Sequence, residues 1–211
     1  MNGLLHFWQT HASELAKLVL QHIELVAVST AAAALIGIPA GIVAFHRPKL
    51  GQPMLFVANV AQTIPSLALL GFLLPLPFVG GIGPRTALVT LTLYAVLPIV
   101  RTTVGGLQGV DSSVIEAGVA MGMTPRQLLI LVELPLAMPS IVAGIRIATV
   151  IGIGVATIAA AVGGGGLGTF IFRGVAMVDT RLILAGALPA AALALIADVV
   201  LSAVERRVIK G

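Results

Sequence analysis

The chain has 211 residues, of which 58% are hydrophobic and only 9% charged, and its mean hydropathy of +1.11 excludes an ordinary soluble domain. The net charge of +4 does not indicate nucleic-acid binding, because the Lys and Arg residues are scattered instead of forming one face. The absence of cysteine excludes disulfides, thiol chemistry and Cys-based metal sites. The high hydropathy indicates a protein of the lipid bilayer.

The first 24 residues predict an amphipathic extracytoplasmic segment that leads into the membrane. Phe7 and Trp8 are typical of anchors at the lipid interface. No Lys or Arg precedes Lys17, and no apolar run ends at a small-residue cleavage site. A cleaved signal peptide is therefore not expected.

Long uncharged segments predict about five membrane-spanning helices, since each crossing of roughly 30 Å needs about 20 apolar residues. The predicted spans are 25–45, 54–74, 86–104, 139–162 and 182–204, each closed by glycine, proline or charge. The predicted fold class is therefore an all-α polytopic membrane protein. Six crossings, with two spans joined by a tight re-entrant turn between Leu50 and Pro84, is the alternative.

Basic residues near the span ends predict the orientation of the chain. The richer side of the membrane holds Arg47, Lys49, Arg101, Arg126, Arg206, Arg207 and Lys210, and the poorer side holds Lys17, Arg85, Arg173 and Arg181. The richer side is predicted to be cytoplasmic. With an odd number of crossings, the N-terminus lies outside and the tail, 205–211, inside.

The segment 111–135 is the least apolar part of the middle of the chain and predicts two short helices laid end to end. Ser113 and Glu116 have the spacing of a capping box, and Gly122 suits the positive φ of a helix end. The same start signal recurs at Thr124, Pro125 and Gln127. Pro135 is predicted to stop the second helix.

Within this segment, Glu116-Ala117-Gly118, Gly122 and Leu134-Pro135 resemble the EAA motif of importer-type ABC permeases. That motif is a Glu-Ala-Ala triplet, a glycine four residues later and a hydrophobic-x-Leu-Pro ending. Gly118 stands where the pattern has Ala, and Val132 stands where it has Ile. In that family the segment is a cytoplasmic coupling helix that docks into a groove on the ATPase subunit. The resemblance implies a type I importer permease fold and a coupling role for 111–135.

The chain contains no phosphate-binding loop, because the run Gly163 to Gly166 is not followed by lysine. ATP and Mg²⁺ are therefore expected on a separate ATPase subunit, with no cofactor and no catalytic role for this chain. No residue pattern indicates a metal site or a catalytic triad. The histidines are predicted to be interfacial polar residues: His6, His11, His22 and His46.

The glycine-rich stretch 162–174, together with 61–66, 184–189 and 205–207, resembles the permeases of osmoprotectant importers. Those proteins carry quaternary ammonium solutes such as glycine betaine, choline and carnitine. Methionine and phosphonate permeases share the glycine-rich stretch, so these substrates remain alternatives. The resemblance also implies the bacterial inner membrane as the location.

The aromatic content argues that substrate selection takes place in another protein. A quaternary ammonium head group donates no hydrogen bond and is usually held by an aromatic cage. The seven Phe, one Tyr and one Trp are spread along the chain, so a separate extracytoplasmic substrate-binding protein is expected, as the family implies. A path enclosed by helices also needs a second permease, either an identical copy or a paralogue.

A stand-alone secondary carrier is the alternative from another class of protein. Such a carrier needs intramembrane charges for ion coupling and usually has an internal repeat. Arg146 and Asp198 are the charged residues deep within the predicted spans, and no repeat is visible. The importer permease is therefore the preferred interpretation.

Polar residues of the second predicted span recur at spacings of three and four, which places them on one face of a helix. They are Asn59, Gln62, Thr63 and Ser66. This face is a candidate lining for the substrate path, and interhelical hydrogen bonding is the equal alternative. Prolines in the predicted spans predict kinks or hinges at Pro39, Pro65, Pro98 and Pro189.

Phe170, Phe172 and Arg173 follow the glycine run and are candidates for an outer gate or for contact with the binding protein. At the other end of the spans, Arg146 and Asp198 have matching predicted depths, about 10 and 12 Å from the cytoplasmic side at roughly 1.5 Å per residue. An ion pair between them is predicted. Snorkelling of Arg146 to the interface is the alternative.

Overall fold

The structure is a computed structural model that describes residues 2–210, so Met1 and Gly211, at the outer ends of the predicted N-terminal segment and tail, lie outside the described residues. Within this range the chain is helical and has no strand. The helices are α1 Asn2–Thr10, α2 Ala12–His46, α3 Pro48–Thr63, α4 Ser66–Leu73, α5 Pro84–Gln108, α6 Ser112–Ala120, α7 Pro125–Leu128, α8 Leu134–Ala159, α9 Gly168–Met177 and α10 Thr180–Lys210. A π-helical turn, Leu129–Glu133, joins α7 to α8, and a 3₁₀ turn, Ala160–Val162, ends α8.

Four helical stretches in residues 2–210 are long and apolar enough to cross a bilayer: Ala12–His46, Pro84–Gln108, Pro125–Val162 and Thr180–Ile209. A fifth crossing exists if the bent pair α3 and α4 counts as one span. The prediction of an all-α membrane protein with about five spans agrees with these four or five crossings.

The N-terminal segment is part of the helical bundle. The helix that contains the first predicted span, 25–45, already begins at Ala12, and α1 precedes it. Trp8 donates from Nε1 to the Ala185 carbonyl at 3.4 Å, and the Phe7 ring meets Phe170 edge to face at 5.6 Å between centroids. Both aromatic side chains therefore pack on α9 and α10 of their own chain, and their role as interfacial anchors stays a prediction.

The predicted second span, 54–74, is not one continuous helix. Its axis turns by 99° between α3 and α4. Ile64 is extended, with φ −71° and ψ 124°, because a residue before proline is disfavoured in the helical region, and Pro65 has no N–H to donate. The helix is therefore broken at Pro65, whereas the helices continue through Pro39, Pro98 and Pro189.

The helix of the fourth predicted span, 139–162, begins far earlier than the sequence suggests. Pro135 does not stop the preceding helix, because α7, the π-helical turn and α8 form one stretch, Pro125–Val162. In the turn, the Leu134 N–H donates to the Leu129 carbonyl, five residues back. The widened turn lies directly before Pro135, which lacks an N–H of its own, and so lets the helix continue.

Helix α5 lies at the centre of the bundle and packs against both α2 and α8. Small residues allow these close approaches: a Cβ on Gly41 would lie 2.6 Å from Thr103 Cβ, and one on Gly144 would lie 1.8 Å from Thr102 Oγ1. Buried hydroxyls donate to carbonyls of their own helix, as Thr103 does to Ile99 at 2.7 Å. Core side chains such as Leu70, Leu91 and Ile153 fill the space between α4, α5 and α8.

Candidate functional site

The first helix of the segment 111–135 is capped by Asp111. Its Oδ1 accepts from the Ser113 N–H at 2.9 Å, and this hydrogen bond lowers the pKa of the exposed Asp111 carboxyl. The predicted capping box of Ser113 and Glu116 is therefore wrong, because α6 begins at Ser112 and Asp111 is its N-cap. The side chain of Glu116 is exposed on the surface of α6.

The turn from α6 to α7 has the predicted chemistry. Gly122 has φ +82°, a conformation that strains a residue with a Cβ. Thr124 and Gln127 form a capping box in both directions, which confirms the second predicted start signal. Gly118 is buried, and a Cβ there would lie 2.8 Å from Leu128 Cδ1, so α6 and α7 pack closely at the position where the EAA pattern has Ala.

The outer surface of this segment carries exposed apolar side chains. Val119 is 58% exposed, Met121 73% and Leu131 62%, and exposed Ala117 lies beside Glu116. Leu134 and Pro135, at the end of the motif, lie at the start of α8. Apolar residues between polar capping groups are typical of a surface that another protein covers.

Two charged contacts attach the long helix Pro125–Val162 to its neighbours. Glu133 is only 5% exposed, and its Oε2 lies 3.2 Å from Nε2 of His46 at the end of α2. This contact was missed in the sequence because it joins distant segments. His46 was expected to be a plain interfacial residue.

The second charged contact lies further along α8. Arg146 Nη1 lies 3.4 Å from Asp198 Oδ1, the pair that their predicted depths suggest, and Arg146 Nε lies 3.2 Å from Glu205 Oε2. Glu205 was assigned to the tail in the sequence. Its spacing of two helical turns from Asp198, which places both on one face of α10, was the signal that could have found it.

The four polar residues of the second predicted span do not share a helix face. Ser66 lies on α4, beyond the break, because the 99° bend turns it away from the axis of α3. Asn59 Oδ1 accepts from Arg101 at 2.5 Å and Gln62 donates to the Tyr94 carbonyl at 2.9 Å, whereas Thr63 donates to its own helix at Val60. The Tyr94 hydroxyl donates to the Ile64 carbonyl.

Those contacts attach α3 and Ile64, at the bend, to α5. Asn59, Gln62 and Ser66 are half-buried, and Thr63 is exposed. Irregular backbone at membrane depth occurs where protein or a water-filled cavity satisfies it. The lining of a substrate path by these residues stays a prediction.

The glycine-rich run folds back against α2 at the end of the bundle away from the coupling segment. Gly166 has φ +73°, and its N–H donates to Gln21 Oε1 at 3.4 Å. His22 is fully buried: its Nδ1 accepts from the Leu167 N–H at 3.3 Å and its Nε2 lies 3.2 Å from the Ile153 carbonyl. His22 is therefore a buried structural residue, and the expectation of an interfacial position is wrong for it.

The three candidates for the outer gate have different surroundings. Phe170 is 1% exposed and packs in a cluster with Leu18 and Leu167, so it does not face a partner. Phe172 is 39% exposed, and Arg173 Nη1 donates to Glu14 Oε1 at 2.7 Å. The gate hypothesis is therefore restricted to Phe172 and Arg173.

Among residues 2–210, no three His, Asp or Glu side chains come together in a way that could hold a metal ion.

An all-helical apolar bundle with four or five crossings is the architecture of a polytopic membrane protein. The family model described as "Binding-protein-dependent transport system inner membrane component" matches residues 33–210. The chain belongs to this family and is an inner-membrane permease subunit of a bacterial ABC importer.

Curated relatives match nearly the whole chain. The choline transport system permease protein OpuBB of Bacillus subtilis (strain 168) is 41% identical over 207 residues, 98% of this chain and 94% of the relative. The carnitine transport permease protein OpuCD of Listeria monocytogenes serotype 1/2a (strain 10403S) is 44% identical over 207 residues, with 98% and 92% covered. A solved structure of the MetNI methionine ABC transporter in an inward-facing conformation has a TM-score of 0.83 at 27% identity, covering 92% of this chain and 95% of that one.

Proposed function

We propose that this chain forms the membrane path for quaternary ammonium osmoprotectants, namely glycine betaine, choline and carnitine. Similarity to choline and carnitine permeases over 98% of the chain carries this proposal. The methionine transporter shares the fold at a lower identity of 27%, and methionine is therefore the second candidate.

ATP hydrolysis belongs to a separate ATP-binding cassette subunit in this proposal, and the chain itself is non-catalytic. ATP and Mg²⁺ bind to that subunit. The segment 111–135 is the docking element, supported by the exposed apolar Val119 and Met121 beside Glu116 and by the two capped helices. An ATPase groove that covers these side chains would remove their apolar surface from water.

Two further partners complete the importer. A second permease, an identical copy or a paralogue, closes the path, since about five spans of one permease cannot enclose it alone. An extracytoplasmic binding protein selects the solute, because the few aromatic residues of this chain are spread along its sequence. Phe172 and Arg173 are candidates for its contact surface.

The test is uptake by the reconstituted importer, with this permease, its ATPase and its binding protein in liposomes. Radiolabelled glycine betaine, choline, carnitine, methionine and a phosphonate are compared with ATP inside. Uptake of the quaternary ammonium solutes alone supports the proposal. Uptake of methionine or the phosphonate alone rejects the substrate class, and uptake by the permease without ATPase would instead indicate a secondary carrier.

A further inference from the structure

We propose that His46 and Glu133 are positioning residues for energy coupling, because their contact holds the π-helical turn of the coupling segment, Leu129–Glu133, against the end of α2. The inference rests on the coupling role proposed for residues 111–135. It adds a residue pair, distinct from Gly118 and Gly122 of the EAA motif. Transmission of movement from the coupling segment to the membrane helices depends on this pair.

Burial makes this contact necessary. Glu133 is 5% exposed, and its Oε2 forms no hydrogen bond in residues 2–210, although His46 Nε2 lies 3.2 Å from it. An uncompensated buried carboxylate is unfavourable, so this partner stabilises the position of Glu133. Removing the His46 ring would leave that oxygen without compensation.

The hydrogen bond from the His46 ring to its own helix determines which ring nitrogen carries a proton. Nδ1 lies 3.1 Å from the Ile42 carbonyl, which can only accept, so Nδ1 carries a proton. A neutral ring would then direct the Nε2 lone pair at a carboxylate oxygen. A protonated ring instead directs an N–H toward Oε2, and this polar contact at 3.2 Å links α2 to the π-helical turn.

Ile42 and Phe45 of α2 share an apolar cluster with Leu134 at the start of α8, and the polar contact adds to this packing. A cavity of about 290 Å³ separates the end of α2 from α7, and its lining includes His46, Arg47 and Arg126. Arg47 and Arg126 are the charged side chains on this lining. Open space beside the contact means that the turn could shift if the polar link were removed.

The location of the turn explains why such a shift matters. Movement of α7 reaches α8 along the chain through Leu129–Glu133, since Pro125–Val162 is one helical stretch. A π-helical turn is locally weaker than an α-helix and is a point where the stretch can bend. Holding its last residue, Glu133, against α2 makes the stretch and α2 move together.

The experiment uses the reconstituted complete importer and measures solute taken up per ATP hydrolysed. Glu133→Ala and His46→Ala remove the contact. Glu133→Gln retains it, because the amide can donate to Nε2 of a neutral His46 whose Nδ1 still donates to Ile42. His11→Ala is the control, since His11 contacts only Phe7 and Thr10 near the N-terminus.

Both alanine variants should lower the uptake per ATP by about 2- to 30-fold, with ATP hydrolysis retained. The double variant should be no worse than the worse single variant, because both remove the same contact. Glu133→Gln and His11→Ala should couple normally. Rescue by glutamine distinguishes positioning from a general loss of stability.

Three outcomes overturn the inference: normal coupling in both alanine variants, a Glu133→Gln variant as uncoupled as Glu133→Ala, or additive losses in the double variant. If Glu133→Ala does not fold, His46→Ala and Glu133→Gln provide the same comparison, because His46 is on the surface of the end of α2.

A parallel Gly122→Val variant separates the two proposals. Uncoupling by Gly122→Val with normal coupling in the alanine variants rejects only the His46–Glu133 link, whereas normal coupling in all of them also rejects the coupling role of 111–135.

Discussion

The guanidinium of Arg146 on α8 lies 3.4 Å from the carboxylate of Asp198 on α10, and the same guanidinium lies 3.2 Å from Glu205. One cation thus faces two anions, and the three side chains have unequal exposure: 28% for Arg146, 49% for Asp198 and 22% for Glu205. This arrangement predicts unequal effects of mutation.

Asp198→Asn should lower the free energy of unfolding by about 1 kcal/mol or less, because that carboxylate is half-exposed and Glu205 remains as a partner. Arg146→Gln should be more destabilising, since it leaves two carboxylates without a cation. Thermal unfolding of the purified permease in detergent measures both. A triple variant that also carries Asp198→Asn and Glu205→Gln should recover part of the loss, and no recovery would exclude the three-residue pairing.

Gly122→Val should leave the protein in the membrane and lower its substrate-stimulated ATP hydrolysis in the assembled importer. A β-branched residue at φ +82° adds strain of about 1–3 kcal/mol to the turn between α6 and α7. Gly105→Ala is the control, because Gly105 is exposed with open space around it. A Gly122→Val protein with normal expression, assembly and stimulated hydrolysis would contradict the coupling role of this segment. A bulky replacement of Glu116 tests the exposed face of α6 in the same assay.

Asp111→Ala should fray the start of α6, whereas Asp111→Asn should keep the cap, because an amide oxygen also accepts from the Ser113 N–H. The lowered folded-state pKa gives the sign of the pH dependence. The contribution of the carboxylate is present above the ordinary value of 3.8 and is lost as the pH falls through the lower folded-state value. Hydrogen exchange of the α6 amides between pH 3 and pH 7 measures this effect, and equal exchange in the Ala and Asn variants would argue against capping by Asp111.

His22→Ala should destabilise the permease by about 1–3 kcal/mol, since the buried Leu167 N–H would lose its acceptor. The variant should loosen the glycine-rich run more than the coupling segment. Unfolding temperature and hydrogen exchange of residues 163–168 are the measurements, with the exposed His11→Ala as the control. If both histidine variants have the same stability, His22 does not hold this run.

The membrane class and the coupling segment follow from local properties of the sequence. Composition and uncharged segment length dictate helices in lipid, because a backbone in hydrocarbon must satisfy its own hydrogen bonds. The Thr124–Gln127 box and the positive φ of Gly122 were also predictable, because caps and glycine turns depend on residues a few positions apart.

Contacts between distant residues were decided only by the tertiary structure. The helix breaks at Pro65 but continues through Pro39, Pro98 and Pro189, because neighbouring contacts determine whether the freed backbone can be satisfied. Burial of His22 and Phe170, and the meeting of His46 with Glu133, depend on how α2 packs against α8 and α9. Hydrophobicity specifies that a helix enters the membrane, but side-chain packing specifies which of its faces meets which neighbour, and a single sequence does not encode that packing in any local pattern.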